Sequence, residues 1–599
     1  MTTSTQMPEG TLQPTPTASK NLEPKLGTFG TLAEALDYAA QGEAGFNFYD
    51  VRGNLKHVLT YTEMRTIAQK QAKQLLSLGL KRGDRIGIVA DIEAYFLTTF
   101  FACQYAGLMA VPLPVITGLG GRHGYEQQLQ KVLTTAEAKV AIGPDDLQEH
   151  LKDATKDMAG IKLLTPEQLD ALTEADVTLE PLTAEDESHI QFSSGSTRYP
   201  KGIVISQKAM MNNAHTLMTD GLKGNQFGRV ERVASWLPFY HDMGLIGCML
   251  TPICCQFSVD LLHTDDFARS PLQWLKLIAR NKASLSFGPT FGYEICARRA
   301  SRMRDDSVDL SEWRVAGIGG EMVHAHPLNA FAEAFAPYGF NAKAFTPSYG
   351  MAEATLAISF ANVDEEFNVD AIDKDALLEG KAIPTSENVV DETSETRVMV
   401  SCGRVLKGYE LEIRSADDKV LGDREVGRIC IKTPSLMSGY FHDEEATKES
   451  ILPNGWLDTG DMGYTIDGEL VITGRAKDMI IINGRNFWPQ DMEWHAEQSV
   501  EMLRTRDTAA FAVDGKDGKE EAVLLVQTRT TDPERQAALI KEVYTAVKTN
   551  TGVDARIVLV PQRSLPYTTS GKLSRAKAKK GFLTGEIQPL DISKAESAA

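Results

Sequence analysis

The sequence HIQF at residues 189–192 runs directly into SSGSTRYPKG at residues 193–202. HIQF is predicted to be a strand, the second stretch a polar loop, and Ser206 the N-cap of a following helix. Small hydroxyl residues and glycines let the backbone approach a ligand closely, so that several N–H and O–H donors can point at one anion. With the added charge of Lys201, the loop therefore suits the β- and γ-phosphates of a nucleotide.

Strand and helix patterns alternate on both sides of this loop. RIGIVA at 85–90 is a predicted strand followed by a long apolar helix, and a second alternation runs from about 230 to 350. Such alternation predicts an α/β architecture with parallel strands. The stretch 401–475 instead has short strands with glycine-rich turns, as in a small β unit. A compact α+β module follows GRAKD at 474–478.

The length of 599 residues predicts several domains, because one compact core rarely grows so large. Residues 1–25, which are rich in Pro, Thr and Ser, are expected to be a disordered tail. A large N-terminal domain is expected over 26–476, a small C-terminal domain over 477–585, and a second tail over 586–599. Within the large domain, the acidic stretch at about 357–400 interrupts the rhythm and is predicted to be a surface insertion.

The composition, 42% apolar and 24% charged, is that of a soluble globular protein. No run approaches the roughly 20 apolar residues of a transmembrane segment, and the N-terminus lacks the features of a secretory signal. The net charge of −19 disfavours nucleic acid as a partner. Seven cysteines without a CxxC pair argue against a disulfide framework or a zinc site and fit a reducing cytoplasm.

Further motifs follow the loop in a fixed order. They are SWLPFYHDMGL (235–245), GGE (319–321), PSYGMAEAT (347–355), WLDTGD (456–461), GRAKD (474–478) and YTTSGKLSR (567–575). Over roughly residues 30–585, this set resembles the adenylate-forming superfamily, which includes acyl-CoA synthetases, peptide-synthetase adenylation domains and fatty acyl-AMP ligases. The resemblance implies their α/β fold, in which a large AMP-binding region has two α/β sheet subdomains and a small β unit. A small, mobile α+β lid domain follows at the C-terminus. The resemblance also implies ATP and Mg²⁺ as cofactors.

The resemblance also implies a set of ATP- or AMP-binding residues. They are Ser193, Ser194, Gly195, Ser196, Thr197, Lys201, Gly319, Gly320, Glu321, Ser348, Tyr349, Gly350, Met351, Ala352, Asp461 and Arg475. Their chemistry agrees with these roles. The planar ring of Tyr349 can stack on adenine, Asp461 can accept both ribose hydroxyls, and Arg475 can reach a ribose oxygen or a phosphate.

Other residues are expected to act on the reacting groups. Glu353 can hold Mg²⁺ through its carboxylate, and Thr197 faces the same ion or a phosphate. Lys572 is expected to carry the adenylation step, because a mobile ammonium offsets charge repulsion as a carboxylate attacks the α-phosphorus. His241 either orients that carboxylate, gates the tunnel or is a packed core histidine. Lys477 stands where the family places its interdomain hinge.

The acyl group requires a deep apolar pocket. SFGPTFGYEIC at 286–296 resembles the part of the family that lines the acyl tunnel. Phe239, Phe291 and Tyr293 are the candidate wall residues, although an aromatic stripe is also typical of a plain core. Each buried methylene contributes roughly 0.8 kcal/mol, so the preferred chain length depends on the depth of the tunnel.

Three features resemble the fatty acyl-AMP ligases in particular: the form of SWLPFYHDMGL, NGRNFWPQDME at 483–493, and the insertion at 357–400. In that group the insertion is linked to hindering the domain arrangement that CoA use requires. The resemblance thus implies that a medium- or long-chain fatty acid is activated to acyl-AMP with release of pyrophosphate. The acyl group then passes to the phosphopantetheine thiol of an acyl carrier protein.

Two departures leave the thiol acceptor open. Ala352 replaces the Thr of many superfamily members, as in the acyl-AMP ligase branch, but Lys201 is kept, which that branch often loses. One alternative is an acyl-CoA synthetase whose basic run at 572–580 serves the CoA phosphates. Another is a non-catalytic nucleotide- or lipid-binding relative, against which the presence of Lys572, Glu353 and Asp461 argues.

Overall fold

A computed structural model describes residues 12–17, 19, 22–116, 121–193, 200–224, 230–305, 307–385, 395–482, 485–514, 520–567 and 572–590. Its strands are β1 (Gly45–Tyr49), β2 (Leu55–Thr60), β3 (Arg85–Val89), β4 (Met109–Leu113), β5 (Val140–Ile142), β6 (Lys162–Leu164), β7 (Glu187–Phe192), β8 (Gly202–Ser206), β9 (Arg232–Ser235), β10 (Ser258–Leu262), β11 (Leu285–Gly288), β12 (Val315–Ile318), β13 (Phe345–Gly350), β14 (Ala357–Phe360), β15 (Val369–Asp373), β16 (Thr396–Val400), β17 (Arg404–Val405), β18 (Glu410–Arg414), β19 (Gly427–Lys432), β20 (Gly439–Tyr440), β21 (Leu457–Ile466), β22 (Glu469–Arg475), β23 (Ile480–Ile482), β24 (Arg485–Phe487), β25 (Thr508–Asp514), β26 (Glu520–Thr528) and β27 (Ala555–Pro561).

The α-helices connect these strands and cover the sheets. They are α1 (Leu32–Ala39), α2 (Tyr61–Leu76), α3 (Ala94–Ala106), α4 (Gly121–Thr135), α5 (Gln148–Thr155), α6 (Pro166–Asp170), α7 (Gln207–Thr216), α8 (Thr251–Cys255), α9 (Thr264–Arg269), α10 (Leu272–Asn281), α11 (Thr290–Arg298), α12 (Ala325–Phe335), α13 (Lys374–Leu378), α14 (Glu444–Ser450), α15 (Pro489–Ser499), α16 (Pro533–Thr551) and α17 (Arg575–Thr584). The segments Leu217–Gly221 and Met243–Leu250 are wound as π-helices.

Two large mixed sheets form the N-terminal region. One has the strand order β17-β14-β13-β12-β11-β9-β10-β1-β2, and the other β20-β8-β7-β4-β3-β5-β6. Their central strands pair in parallel, whereas strands towards the ends, such as β2, β8 and β14, pair antiparallel. The predicted α/β architecture with two sheet subdomains is confirmed.

The helix α3 shows how an apolar run is divided by one glycine. Its 13 residues AYFLTTFFACQYA carry no charge, and most of them are buried against α2, β3 and β4. The helix ends because Gly107 has a φ of 71°, in the left-handed region that glycine adopts without strain. The strand β4 then begins at Met109, so the apolar run predicted to be one helix is a helix followed by a strand.

The phosphate-loop region has one element that the sequence did not predict. Between the loop and α7, the strand β8 returns antiparallel to β7. Ser206 caps α7 as predicted, since its side chain accepts a hydrogen bond from the Ala209 N–H at 3.2 Å.

The small β unit and the C-terminal domain follow in the predicted order. The antiparallel sheet β18-β19-β21-β22 forms the β unit. One 3₁₀ turn, Ala476–Asp478, leads to the C-terminal domain, whose sheet β25-β26-β27 packs against α15, α16 and α17. This domain has a core of its own, formed by buried residues such as Leu524, Leu539 and Val543.

The insertion is shorter than the stretch 357–400 that its composition suggested. Residues Ala357–Phe360 form β14, which is buried within the nine-stranded sheet. Beyond it, β15 and β16 pair antiparallel as a separate two-stranded sheet, and α13 follows β15. All four residues of β14 are buried because both faces of the strand are covered. Its sequence therefore lacks the alternation of apolar and polar residues by which a strand is predicted.

The N-terminal stretch also differs from the expected tail. Thr15 is only 5% exposed, and its N–H donates to the Asn47 Oδ1 at 2.8 Å. Its carbonyl accepts from Arg232, which makes a buried bidentate pair with Asp260 at 2.6 Å. Residues 12–17 therefore pack on the large domain, because they satisfy a buried charged network.

All seven cysteines are free and buried, and Cys254 and Cys255 are adjacent core thiols. Among the described residues, no helix combines the length and the apolar composition that crossing a bilayer requires.

Candidate active site

A cavity of about 850 Å³ lies where the large sheets, the small β unit and the C-terminal domain meet. It brings together residues that are far apart in the chain. The predicted site residues that line it are Ser193, Lys201, His241, Phe291, Gly319, Gly320, Glu321, Ser348, Tyr349, Gly350, Met351, Ala352, Glu353, Asp461, Arg475, Lys477 and Lys572.

The predicted phosphate-loop residues Ser194, Gly195, Ser196 and Thr197 lie outside the described residues. The residues on either side of them are hydrogen bonded to each other. The Ser193 N–H donates to the Lys201 carbonyl at 3.0 Å, and the Lys201 N–H donates to the Ser193 Oγ at 3.3 Å. These bonds hold both ends of the loop at the cavity wall.

Asp461 is the centre of a charged group on one side of the cavity. It stands on β21 directly opposite Arg475 on β22. Its Oδ1 accepts from the Arg475 Nε at 2.9 Å, and its Oδ2 accepts from the Tyr349 hydroxyl at 2.6 Å. Burial and the neighbouring Asp461 raise the pKa of Tyr349 well above its usual value. Cross-strand pairing thus places a carboxylate, a guanidinium and an aromatic ring together, a set that can bind a nucleoside.

A second group surrounds Glu353. Its Oε1 accepts from the Tyr440 hydroxyl at 3.0 Å, and the Lys201 Nζ lies 4.4 Å from the centre of the Tyr440 ring. Burial raises the pKa of Glu353. A carboxylate desolvated in this way gains from a cation beside it, and Mg²⁺ prefers oxygen ligands with water and phosphate completing its shell. Glu353 therefore fits the predicted Mg²⁺ ligand.

Lys572 enters the cavity from the C-terminal domain. If Gly320 carried a Cβ, that atom would lie 3.9 Å from the Lys572 Nζ and 3.1 Å from the Met243 sulfur. Gly320 has a φ of 82°, so a side chain there would be strained as well. The Lys572 ammonium group thus lies within van der Waals reach of this glycine, and the Met243 sulfur is the atom that a side chain here would crowd. Burial lowers the pKa of Lys572, and Arg475 acts in the same direction.

His241 and Asp242 lie beside this ammonium group. The His241 Nδ1 is 2.7 Å from the Asp242 Oδ1, which also accepts from the Met243 N–H at 2.8 Å. Burial alone would raise the pKa of Asp242, but His241 and Lys572 hold it at about 2. His241 is therefore a residue of the cavity wall and not of the closed core.

The Glu321 side chain has partners within the protein. Its Oε1 accepts from the Phe291 N–H at 3.0 Å, and its Oε2 pairs with Arg506 of the C-terminal domain at 2.9 Å. Both carboxylate oxygens are thus engaged in this arrangement.

Part of the cavity wall is apolar, and residues of both π-helical segments belong to the wall. Such segments are frequent at functional sites. The apolar wall residues include Leu217, Met218, Leu222, Phe257, Phe287 and Phe360.

Two of the three predicted tunnel residues lie in the core instead. Phe239 is fully buried and stacks on Phe96 with ring centres 5.6 Å apart. Tyr293 is also fully buried, within an aromatic cluster, and its hydroxyl donates to the Gly317 carbonyl at 3.0 Å. Phe291 does line the cavity. On the helix α11, residues 291 and 293 point to different sides. The prediction treated both aromatic residues as tunnel wall because it did not take this difference into account.

The insertion contacts the C-terminal domain directly. The Arg397 guanidinium pairs with Asp491 at 2.7 Å, and the Lys374 Nζ donates to the Asn550 carbonyl at 3.1 Å. Asp375 pairs with Arg485 at 2.5 Å at an exposed position, and Leu378 packs against the C-terminal core. These contacts stabilise the observed orientation of the C-terminal domain.

Several cavity residues were missed by sequence reasoning. Asp242 stands inside the quoted motif SWLPFYHDMGL, so its acidic side chain beside His241 was the available signal. Tyr440, Trp494 and Arg506 lie outside every motif. Trp494 stacks on His324 across the domain boundary with ring centres 4.0 Å apart.

The chain is similar to known proteins over most of its length. The family model for AMP-binding enzymes matches residues 40–441. A protein of Caulobacter vibrioides (strain NA1000 / CB15N), provisionally named an acyl-CoA synthetase, is 46% identical over 95% of this chain and 98% of its own. A medium-chain-fatty-acid–[acyl-carrier-protein] ligase of Moorena producens (strain JHB) is 29% identical over 93% of this chain and 96% of its own.

A solved structure has the same fold. It comes from structural work on fatty acyl-adenylate ligases of E. coli and L. pneumophila, and it superposes with a TM-score of 0.88 at 43% identity. The alignment covers 94% of this chain and all of the solved one.

Proposed function

The chain belongs to the AMP-binding enzyme family, and from this premise we propose that it is a ligase that activates a fatty acid as its acyl-adenylate at the cavity described above. Its similarity to ligases of fatty acids over nearly the full length of the chain supports this substrate class.

The observation that carries the proposal is the composition of the cavity. Asp461, Tyr349 and Arg475 form a polar group suited to a nucleoside, and apolar side chains line the same cavity. The ammonium group of Lys572 lies beside the same cavity. A substrate with a carboxylate head and an apolar tail fits such a site, since its tail gains from burial and its head meets the cation.

The proposed reaction joins the fatty-acid carboxylate to the α-phosphorus of ATP. A carboxylate oxygen attacks this phosphorus, the bond to the β-bridging oxygen breaks, and pyrophosphate leaves. Lys572 offsets the repulsion between the two anions and the charge that develops on the α-phosphoryl oxygens. We propose that His241, which is paired with Asp242, orients the carboxylate. Glu353 would hold Mg²⁺, which would neutralise charge on the leaving phosphates.

The direct test is fatty-acid-dependent exchange between ATP and labelled pyrophosphate, with Mg²⁺ and saturated acids of increasing length. We expect exchange that depends on the acid and rises with chain length up to an optimum. The proposal fails if the purified protein, given these acids, never forms AMP and pyrophosphate. This outcome would favour a non-catalytic nucleotide- or lipid-binding protein.

Gly247 is proposed to limit the length of the acyl chain. It lines the cavity within the π-helix Met243–Leu250, and among the described residues a Cβ at this position would meet only the Leu356 side chain, at 3.3 Å. In a Gly247→Leu variant the added side chain should fill space used by the tail. We expect kcat/KM to fall about fourfold for each methylene that is no longer buried, since each is worth about 0.8 kcal/mol.

The measurement is a chain-length series of exchange rates, in which short acids are the internal control. Short acids should keep wild-type rates in Gly247→Leu. An equal loss at all lengths would place Gly247 away from the path of the acyl tail.

For the second step, we propose transfer of the acyl group to the phosphopantetheine thiol of an acyl carrier protein. The support is the set of contacts between the insertion and the C-terminal domain, because they favour the observed orientation over any other. Incubation with ATP, Mg²⁺, a long-chain acid and either CoA or a holo carrier protein separates the acceptors. Rapid formation of acyl-CoA without the carrier would overturn this assignment. The alternative, CoA as the acceptor, is supported by the 46% identical protein of Caulobacter vibrioides, which is provisionally named an acyl-CoA synthetase.

Weakening the contacts of the insertion should raise the use of CoA. In the double variant Lys374→Met, Asp491→Asn, the half-buried contacts to Asn550 and Arg397 are lost. We expect transfer to CoA to rise about tenfold. This is the effect of weakening the preference of the C-terminal domain for its observed orientation by about 1.4 kcal/mol. The matched control is Asp375→Asn, which removes an exposed pair of the same interface and should change little. If the double variant transfers the acyl group to CoA at the wild-type rate, the insertion does not determine which thiol is the acceptor.

A further inference from the structure

We propose that Arg506 is a positioning residue that holds the C-terminal domain so that Lys572 reaches the cavity. This inference rests on the proposed adenylating role of Lys572. Arg506 belongs to a tight turn between α15 and β25 and lies outside every sequence motif. We call Thr505 and Arg506, together with their partners Glu294, Glu321 and Phe291 of the N-terminal region, the clasp.

The clasp joins the two domains by three kinds of contact. The Arg506 guanidinium pairs with the Glu321 Oε2 at 2.9 Å. The same guanidinium lies over the Phe291 ring, 3.8 Å from its centre. The Thr505 hydroxyl donates to the Glu294 Oε1 at 2.6 Å, and Arg298 donates to that hydroxyl at 3.2 Å. An ion pair that is also stacked on a ring is a contact for which arginine is better suited than lysine.

Within the C-terminal domain, the turn is held firmly. Glu497 on α15 accepts hydrogen bonds from the N–H groups of Arg506 and Thr508 at 2.9 and 3.0 Å and from the Thr508 hydroxyl at 2.7 Å. The position of Arg506 is therefore fixed relative to the sheet β25-β26-β27. The ion pair between Glu321 and Arg506 therefore restrains the position of the whole C-terminal domain.

The clasp is connected to the segment that carries Lys572. The Tyr567 hydroxyl donates to the Arg506 carbonyl. Tyr567 in turn pairs across a β-bridge with Leu573, the residue directly after Lys572. At the other end of this series of contacts, Glu321 directly follows Gly320, beside which the Lys572 ammonium group lies. The clasp thus connects the cavity wall at Glu321 with the C-terminal segment that carries Lys572.

The backbone of Arg506 supports a role for its side chain. Its φ of 72° lies in the left-handed region, where glycine is favoured and arginine is strained. A glycine would serve the turn better, so the guanidinium contacts are what favour arginine at this position. The same conformation provides a sharp variant: Arg506→Gly removes the guanidinium and relieves the backbone without disturbing the fold.

The experiment measures acid-dependent ATP–pyrophosphate exchange and the melting temperature of the full chain. For Arg506→Gly we expect kcat to fall about tenfold through misplacement of the lysine, with KM for ATP changed less than twofold and no decrease in melting temperature. Arg506→Lys, which keeps the charge, should restore part of the rate. Tyr567→Phe, which removes only the hydroxyl, should lower kcat by a smaller factor. Arg535→Ala, an exposed arginine on α16, is the matched control and should behave as wild type.

The outcomes separate this inference from the proposed function. If the wild type shows no exchange, the proposed function fails, and the inference falls with it. If the wild type is active and Arg506→Gly keeps its kcat, or changes only KM, Arg506 does not position Lys572. A fall in melting temperature that matches the fall in rate would assign Arg506 a role in folding alone and would also overturn the inference.

Discussion

Lys572→Ala will lower fatty-acid-dependent ATP–pyrophosphate exchange by about 10²–10³-fold. The ammonium group is the cation that the C-terminal domain places beside Gly320, in the cavity that receives ATP and the fatty acid in the proposed function. Removing a donor that acts on the transition state typically costs about 2.7–4 kcal/mol. The loss should appear in kcat, because the nucleoside group around Asp461 is left unchanged.

The matched control is Lys541→Ala, which removes an exposed lysine from α16 of the same domain. This variant should exchange at the wild-type rate. Binding of ATP to Lys572→Ala, followed by calorimetry, should stay within a few-fold of wild type. If Lys572→Ala retains normal exchange, another group must carry the step, and the mechanism proposed here is wrong.

Asp461→Asn is expected to reduce kcat/KM for ATP by about 10²-fold. The carboxylate accepts from both the Tyr349 hydroxyl and the Arg475 Nε. An asparagine of the same shape keeps one acceptor oxygen but turns an NH₂ group towards one of these donors. Hydrogen bonds to charged groups contribute about 1.5–3 kcal/mol each, so the ring and the guanidinium lose their fixed positions.

Exchange rates at varied ATP and fixed fatty acid give kcat/KM directly. Asp467→Asn serves as the control, since Asp467 is exposed in the turn after the same strand and tolerates asparagine at its φ of 50°. The circular dichroism of both variants should match the wild type. A loss confined to the KM for the fatty acid would place the nucleotide elsewhere in the cavity.

Much of the fold and of the cavity could be predicted because the motifs lie where secondary structure changes. The strands β25, β26 and β27 and the helix α16 of the predicted α+β module follow local periodicity, which depends on neighbouring residues alone. The predicted site residues that the structure describes mostly meet in one cavity, since motifs such as GGE and PSYGMAEAT lie at the carboxyl ends of neighbouring parallel strands.

Residues with two possible surroundings could not be assigned in this way. Phe239 and Tyr293 belong to aromatic stripes that continue into the core, and burial against Phe96 or Trp274 decides their role. The strand β14 was assigned to the insertion because its four residues carry too little periodicity to identify a strand in the middle of a sheet.

Local spacing and side-chain type were enough to predict the family and the residues whose chemistry suits adenylation. Which side chains are in contact could be read only from the folded chain. Arg506 and Glu321 are 185 residues apart, and Tyr349 and Asp461 are 112 apart. No local pattern relates residues at such distances, since a contact between domains depends on how complete surfaces pack and not on the spacing within either one.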